Sequence, residues 1–157
     1  LGQRSLDYLW QGIGAYIACH PQVRYLFGPV SLSALLPEQA KALLVQFYAS
    51  HYPDPEHLVE SRQPFKPLLQ HSLFAKRLIP GLDRDAEFST LREHLDYMGV
   101  RVPTLYKQYA EVCETGGVRF CAFNIDPDFS HCIDGMVTVD LTKLTAKKRR
   151  RYLNPHL

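Results

Sequence analysis

The stretch VRFCAFNIDPDFSHCIDGMVTVDL, residues 118–141, predicts two strands that follow each other along the chain. The segments 118–125 and 136–141 are rich in β-branched and aromatic residues, which are typical of strands. Between them, the segment DPDFSHCID and Gly135 carry turn signals and predict a loop. Because only a loop separates these neighbouring strands, we do not expect a regular doubly wound fold.

A helix is predicted upstream, over residues 5–19, because apolar residues recur there at steps of three and four. Ser5 suits its N-cap, and Pro21 ends it. Gly12 and Gly14 each cost about 1 kcal/mol relative to alanine inside a helix. Their presence indicates close packing against a strand or a bound ligand. The apolar face consists of Leu6, Leu9, Trp10, Ile13, Tyr16 and Ile17.

A strand is predicted over residues 23–33, but Gly28 and Pro29 interrupt it. Glycine weakens a strand, and proline cannot donate a ladder hydrogen bond. The interruption indicates an edge strand or a bulge, or else a strand that separates from an upstream neighbour. In the second case, an extended ligand with amide groups would pair with the freed backbone. Ser31 and Ser33 share one face and would contact such a ligand, or are simply polar strand-end residues.

Four further helices are predicted over residues 37–50, 68–79, 85–98 and 103–113, with a proline-rich irregular connection over 52–67. The order of helix, strand, helices, strand and strand predicts an α/β or α+β mixed sheet. We treat residues 1–157 as a single domain, in which 50–102 form a helical insertion and 145–157 a basic tail.

The composition narrows the class of protein. The chain has 157 residues, 46% of them hydrophobic, and a net charge of +2. This length fits one domain, and the near-zero charge favours neither a nucleic acid nor a strongly acidic partner. We therefore expect no nucleic-acid partner. The four cysteines include no C-x-x-C pair, which is typical of a reduced, cytosolic protein.

Targeting signals are not visible in the sequence. No apolar run reaches the roughly 18 residues that a bilayer-spanning helix needs, and there is no signal peptide. The chain begins at Leu1 rather than at a methionine, almost directly on a helix. We therefore expect it to be part of a longer protein, with further strands upstream.

Candidate site residues fall in two places. The first helix begins with GQRS, and a helix N-terminus attracts phosphate, to which Arg4 would add a charged contact; most such helix starts bind nothing. The segment DPDFSHCID holds Asp126, Asp128, His131 and Asp134 without any familiar metal-site spacing. An Asp-Pro turn explains Asp126 and Asp128 better than a metal site does. Asp134 and His131 remain candidates for a base or an amine contact.

Two other features bear on function. No G-x-S-x-G motif is present, and no histidine has an aspartate five positions later, as the glycerolipid O-acyltransferases require. Nucleophilic catalysis therefore has little support. The basic run Lys147–Arg151 indicates either a solvated helix end or a surface for anionic lipid or an acidic carrier protein.

Three segments together resemble a known family: LWQGIGAYI (9–17), RYLFGPVSLS (24–33) and residues 102–141. They resemble the bacterial GNAT-type N-acyltransferases, which include ornithine-lipid N-acyltransferases and proteins labelled hemolysin. The resemblance covers nearly the whole chain, and its most specific part runs from Pro103 to Asp134. The residues in the family's order are Pro103, Leu105, Lys107, Tyr109, Gly117, Asp126, Pro127, Asp128, Phe129 and Asp134.

The resemblance implies the mixed sheet of the acyl-CoA N-acyltransferases. The first helix would face the phosphate of an acyl donor, and the strand 23–33 would splay from its upstream neighbour to admit the pantetheine arm. No cofactor would be bound permanently, since acyl-ACP or acyl-CoA is the donor substrate. The residues assigned to donor binding are Gly2, Gln3, Arg4, Ser5, Gly28, Ser31 and Ser33.

The resemblance also implies transfer of a long acyl chain from acyl carrier protein or CoA to an amine such as ornithine. A neutral amine attacks a thioester directly, so the enzyme must remove a proton and stabilise an oxyanion. We assign Asp134 and Lys107 as candidate catalytic residues, with no metal. Lys107 is also a candidate contact for acyl carrier protein.

Two alternatives stay open beside the acyltransferase: a membrane-active, hemolysin-like protein, and a non-catalytic acyl-binding module. We expect a cytoplasmic protein whose acceptor is an amine or a lipid. Contact with the inner membrane surface would run through Lys147–Arg151.

Overall fold

The computed structural model describes residues 2–153, with side chains described from Asp7 onward. The order of elements predicted from the sequence is confirmed. A short 3-10 turn, Leu141–Lys143, precedes the last helix. The helices and strands are α1 (Gly2–Cys19), β1 (Tyr25–Leu32), α2 (Glu38–His51), α3 (Leu69–Leu78), α4 (Arg84–Tyr97), α5 (Thr104–Ala110), β2 (Val118–Asp126), β3 (Cys132–Asp140) and α6 (Ala146–Tyr152).

The three strands form one antiparallel sheet in the order β1-β3-β2. The predicted pairing of the last two strands is correct, but the loop between them is shorter than expected. β3 begins at Cys132, so Asp134 and Gly135 lie within a strand and not in a loop. The reason is that Ile133 and Gly135 continue the buried alternation of Val137 and Val139 toward the helices.

β1 is continuous through Gly28 and Pro29. Its register with β3 runs without a shift from Tyr25 opposite Asp140 to Leu32 opposite Ile133. The bulge interpretation of this segment is therefore wrong, and within residues 2–153 β1 stands at an edge of the sheet. The sheet does contain an irregularity, but it lies in β2, between Phe120 and Ala122.

The outer edge of β1 pairs with no strand among residues 2–153. Proline is tolerated at such an edge because the missing N–H costs no ladder bond there. The separation of this strand from an upstream neighbour stays a prediction.

The helices pack on one face of the sheet. β1 turns Leu26, Gly28, Val30 and Leu32 toward them and leaves the alternate residues exposed. The central core joins α2 and α5 to β2, where Tyr48, Tyr106 and Phe120 contact one another. The other face carries the loop 54–59 and is called the open face below.

The first and last helices contact each other directly. α1 begins at Gly2, so Ser5 lies inside its first turn and not at the predicted N-cap. Gly14 lies against the backbone of Tyr152, and any side chain there would collide with it. The close packing inferred for Gly14 is thus with α6, which holds the basic run 147–151.

The segment 50–102 adds two helices beside α2. α3 and α4 both contact α2. Gly99 ends α4 with a φ of +69°, as the sequence predicts for a helix stop. α5 is shorter than expected, since it ends at Ala110. Among the described residues, no helix combines the length and the apolar character that crossing a membrane requires.

Candidate functional site

A cleft of about 560 Å³ lies between α1 and the helix-facing side of β1 and β3, and reaches Phe27 and Gly28 of β1. Among the side chains that the structure describes, Asp7 to Leu153, none that lines it is charged. Gly12 of α1 and Gly28 of β1 both border the cleft, and a Cβ at either position would meet no described atom within 4 Å beyond its chain neighbours and its own helix backbone. The missing side chains therefore leave room for a ligand. Other walls are formed by Leu9, Ile13, Leu26, Val137 and Val139.

Two aromatic residues form one end of this cleft. Trp10 Nε1 donates to Gln108 Oε1 at 3.1 Å, and the indole meets the Tyr109 ring edge-on with centroids 5.5 Å apart. Burial raises the pKa of the Tyr109 phenol, so it stays protonated at neutral pH. The sequence did not identify either aromatic residue as a site residue. Apolar spacing on a helix predicts core packing equally well, so it gave no distinct signal.

Ser31 and Asp134 form a polar pair on the open face. They lie directly opposite each other in β1 and β3, and Ser31 Oγ donates to Asp134 Oδ1 at 2.6 Å. Cys132 Sγ lies 3.4 Å from the same oxygen. Burial raises the pKa of the Cys132 thiol, so it remains a donor. The carboxylate of Asp134 is thus oriented on the central strand, directly beside β1, the strand that borders the cleft.

The other predicted residues are more scattered. Ser33 Oγ accepts the N–H of Leu35 at 3.2 Å, so it serves a local turn. Lys107 is exposed on α5, in the helical layer, on the opposite side of the sheet from Asp134. Gly2, Gln3, Arg4 and Ser5 make the first turn of α1, but their side chains lie outside the described residues, so their role stays a prediction.

The acidic loop has a structural role at its start. Asp126 Oδ1 accepts the N–H groups of Asp128 at 2.9 Å and of Phe129 at 3.1 Å. This confirms the turn interpretation of Asp126. His131 is exposed, with a φ of +56°. Within residues 2–153, no group of three His, Cys, Asp or Glu side chains is placed to hold a metal ion.

Two curated proteins are similar to this chain. A glycine N(alpha)-acyltransferase from Bacteroides thetaiotaomicron is 25% identical over 153 residues, which make up 97% of this chain and 44% of that protein. A glycine N(alpha)-acyltransferase from Phocaeicola vulgatus is 23% identical over 156 residues, 97% of this chain and 46% of that protein. The chain thus spans less than half the length of these relatives.

No family model matches the chain. No solved structure matches it significantly. The two similar proteins nevertheless support a relationship to acyltransferases, and their names specify glycine and not ornithine lipid or hemolysin. An antiparallel sheet with helices on one face fits the GNAT-like fold of such enzymes, so the predicted fold class is confirmed.

Proposed function

We propose that this chain forms the donor-binding part of an N-acyltransferase, which moves a long fatty acyl chain from a thioester to the amine of a small amino acid. The cleft between α1 and the helix-facing side of β1 and β3, which no charged residue lines among the described side chains, carries the proposal together with the unpaired edge of β1 among residues 2–153. An edge of unpaired backbone favours an extended ligand with amide groups, and an apolar cleft favours one without charge. The pantetheine arm of an acyl thioester combines both features.

The donor is acyl-CoA or acyl carrier protein. In either case the first turn of α1 would receive the phosphate, where Gly2, Gln3, Arg4 and Ser5 offer backbone N–H groups and one positive charge. α6 packs against the same helix and adds exposed Lys147 and Arg150. An acidic carrier protein would gain favourable contacts there.

The acceptor amine is proposed to bind at Asp134. The two relatives are named for glycine, so glycine is the first acceptor to test, with ornithine as the second. Asp134 would take a proton from the ammonium group, directly or through water. The neutral nitrogen then attacks the thioester carbonyl, the C–N bond forms, and the C–S bond breaks as the thiolate leaves with a proton. No covalent enzyme intermediate is needed.

Lys107 fits a different role in this scheme. It lies exposed in the helical layer, away from Asp134. At this position its positive charge suits contact with an acidic carrier protein better than contact with the reacting amine. Lys107→Glu should therefore weaken transfer from acyl carrier protein and leave transfer from acyl-CoA unchanged.

The experiment is an acyl-transfer assay with the full-length protein, read by mass spectrometry. Palmitoyl thioesters of CoA and of acyl carrier protein are offered with glycine, ornithine and other amines. Gly12→Phe fills the cleft and should abolish transfer, whereas Gly12→Ala should retain it. Absence of transfer to every amine contradicts the proposal; if donor still binds, the acyl-binding module becomes the better interpretation.

A further inference from the structure

A second cavity, of about 330 Å³, lies on the open face beneath the loop 54–59. Its floor includes Met136 and Thr138 of β3, and its wall includes Leu58 and Val59 of the loop. Phe27 lines this cavity and also lines the cleft on the helical side. The two spaces therefore meet at one side chain on the edge strand.

Each charged residue that lines the second cavity, among the side chains from Asp7 to Leu153, is already paired within the protein. Arg119 binds Asp54 at 3.2 Å and Glu56 at 2.8 Å. Asp140 binds Arg24 at 3.2 Å. An ionic ligand would find no free counter-charge here, and burying it unpaired is costly. The cavity therefore suits an uncharged, apolar occupant.

The same ion pairs give the cavity a fixed wall. Asp54 is buried and also accepts the N–H groups of Glu56 at 3.3 Å and Leu58 at 2.6 Å. These bonds shape the loop, and Arg119 anchors it to β2. The loop that carries Leu58 and Val59 is thus held over the sheet by these contacts.

A path between the two spaces runs over the edge of β1. Phe27 is 79% exposed, and its neighbour Gly28 has no side chain to obstruct passage. Along the open face, three cross-strand pairs of β1 and β3 succeed one another at two-residue steps. They are Phe27 opposite Thr138, Pro29 opposite Met136, and Ser31 opposite Asp134. A chain crossing at the edge would place its apolar end in the second cavity and its reacting end toward Asp134.

We propose that the second cavity holds the distal methylene groups of the fatty acyl chain, and that Met136 and Leu58 set the longest chain accepted. This inference rests on the proposed function. It assigns the donor arm to the cleft, the thioester to the edge near Pro29, and the acyl tail to the open face.

The test compares acyl thioesters of increasing chain length in the full-length protein. Met136→Trp and Leu58→Trp should reduce kcat/KM for the longest chains by about tenfold, the effect of excluding two methylene groups, and leave the shortest unchanged. Met136→Ala should extend the accepted range. The matched control is Leu82→Trp, at a residue that is 87% exposed and lines neither cavity.

The outcomes separate the inference from the proposed function. Transfer with an unchanged chain-length profile in both tryptophan variants overturns the inference and leaves the acyltransferase intact. Failure of the wild type to transfer any chain contradicts the proposed function instead. In that case, fluorescence of methyl cis-parinarate still tests the cavity: weaker binding by Met136→Trp than by Leu82→Trp supports it, and equal binding overturns it.

Discussion

Ser31 and Asp134, 103 positions apart in the chain, are held together by a hydrogen bond of 2.6 Å across β1 and β3. The bond orients a carboxylate of the central strand β3 on the open face, one strand in from the edge where β1 faces no other strand among residues 2–153. A carboxylate oriented this way can bind an ammonium group or accept its proton. The pair thus connects the strand that borders the cleft with the proposed acceptor site.

Asp134→Asn should remove that function without unfolding the protein. The amide still accepts from Ser31 but carries no charge, so we expect kcat/KM for the amine to fall by about a hundredfold or more. The melting temperature should change little, because Asp134 is only half-buried. Asp128→Asn, at an exposed loop position, is the control. Equal activity of Asp134→Asn and wild type would remove Asp134 from the mechanism.

The two glycines of α1 should respond oppositely to alanine. A Cβ at Gly14 collides with the Tyr152 backbone, so Gly14→Ala should displace α6 and cost about 1 to 3 kcal/mol. Gly12→Ala meets no atom within 4 Å and should raise helix stability by about 1 kcal/mol. Chemical denaturation measures both. Trypsin should cut the run 147–151 faster in Gly14→Ala alone; equal cutting in both variants would mean that α6 does not depend on this contact.

Gly135 shows why the sequence predicted the hairpin but misplaced its second strand. Glycine in a turn-rich segment signals a loop, yet in a strand it also permits close approach of another group. Here that group is the Tyr106 hydroxyl, 2.8 Å from where a Cβ would be. The hydroxyl donates to the Val30 carbonyl at 2.9 Å. Such a contact joins residues far apart in sequence, which local patterns do not reveal.

The candidate site, like the hairpin, could be predicted from the sequence only in part. The family resemblance assigns Gly28 to donor binding, and Gly28 does border the cleft, but its role there stays a prediction. The second cavity gave no signal, because it exists only where the pair of Arg119 and Asp54 folds a proline-rich connection over the sheet. Periodicity locates the faces of helices and strands, but it does not tell which irregular segment covers them.

Asp140 should make the free energy of unfolding depend on pH in the acid range. Burial by itself would raise the pKa of this carboxyl, but hydrogen bonds from Thr142 and Arg24 outweigh it and hold the pKa at about 2. A carboxyl whose pKa is lowered by folding stabilises the fold at any pH above its ordinary pKa of 3.8. That stabilisation is lost as the pH falls from 3.8 to about 2. Asp140→Asn should lower the free energy of unfolding at neutral pH by about 1 kcal/mol, since the exposed Arg24 is screened by solvent.

Denaturation curves between neutral pH and pH 2 check this expectation for Asp140. The difference between wild type and Asp140→Asn should shrink as the pH falls through that window. A difference that stays constant with pH would mean that the hydrogen-bond geometry, and not the charge, is what stabilises this end of β3. Asp128→Asn again serves as the exposed control.

Glu87 should be the most sensitive carboxylate in the helical layer. His51 Nε2 donates to Glu87 Oε2 at 2.7 Å, and the backbone N–H groups of Gly81, Leu82 and Asp83 donate to the same carboxylate. Burial alone would raise the pKa of Glu87, but these hydrogen bonds hold it below its ordinary value of 4.5. The carboxylate joins α2 to the turn that begins α4.

Glu87→Gln cannot accept from all of these donors, and a buried donor left without a partner is costly. We expect the free energy of unfolding at neutral pH to fall by about 2 kcal/mol or more. The loss should diminish as the pH falls below 4.5, where the unfolded carboxyl takes up a proton, toward the lower pKa of Glu87 in the folded protein. Glu93→Gln, exposed on the same helix, should have almost no effect. If the two variants unfold at the same denaturant concentration, the four donors at Glu87 are satisfied by water and the turn is not held by this side chain.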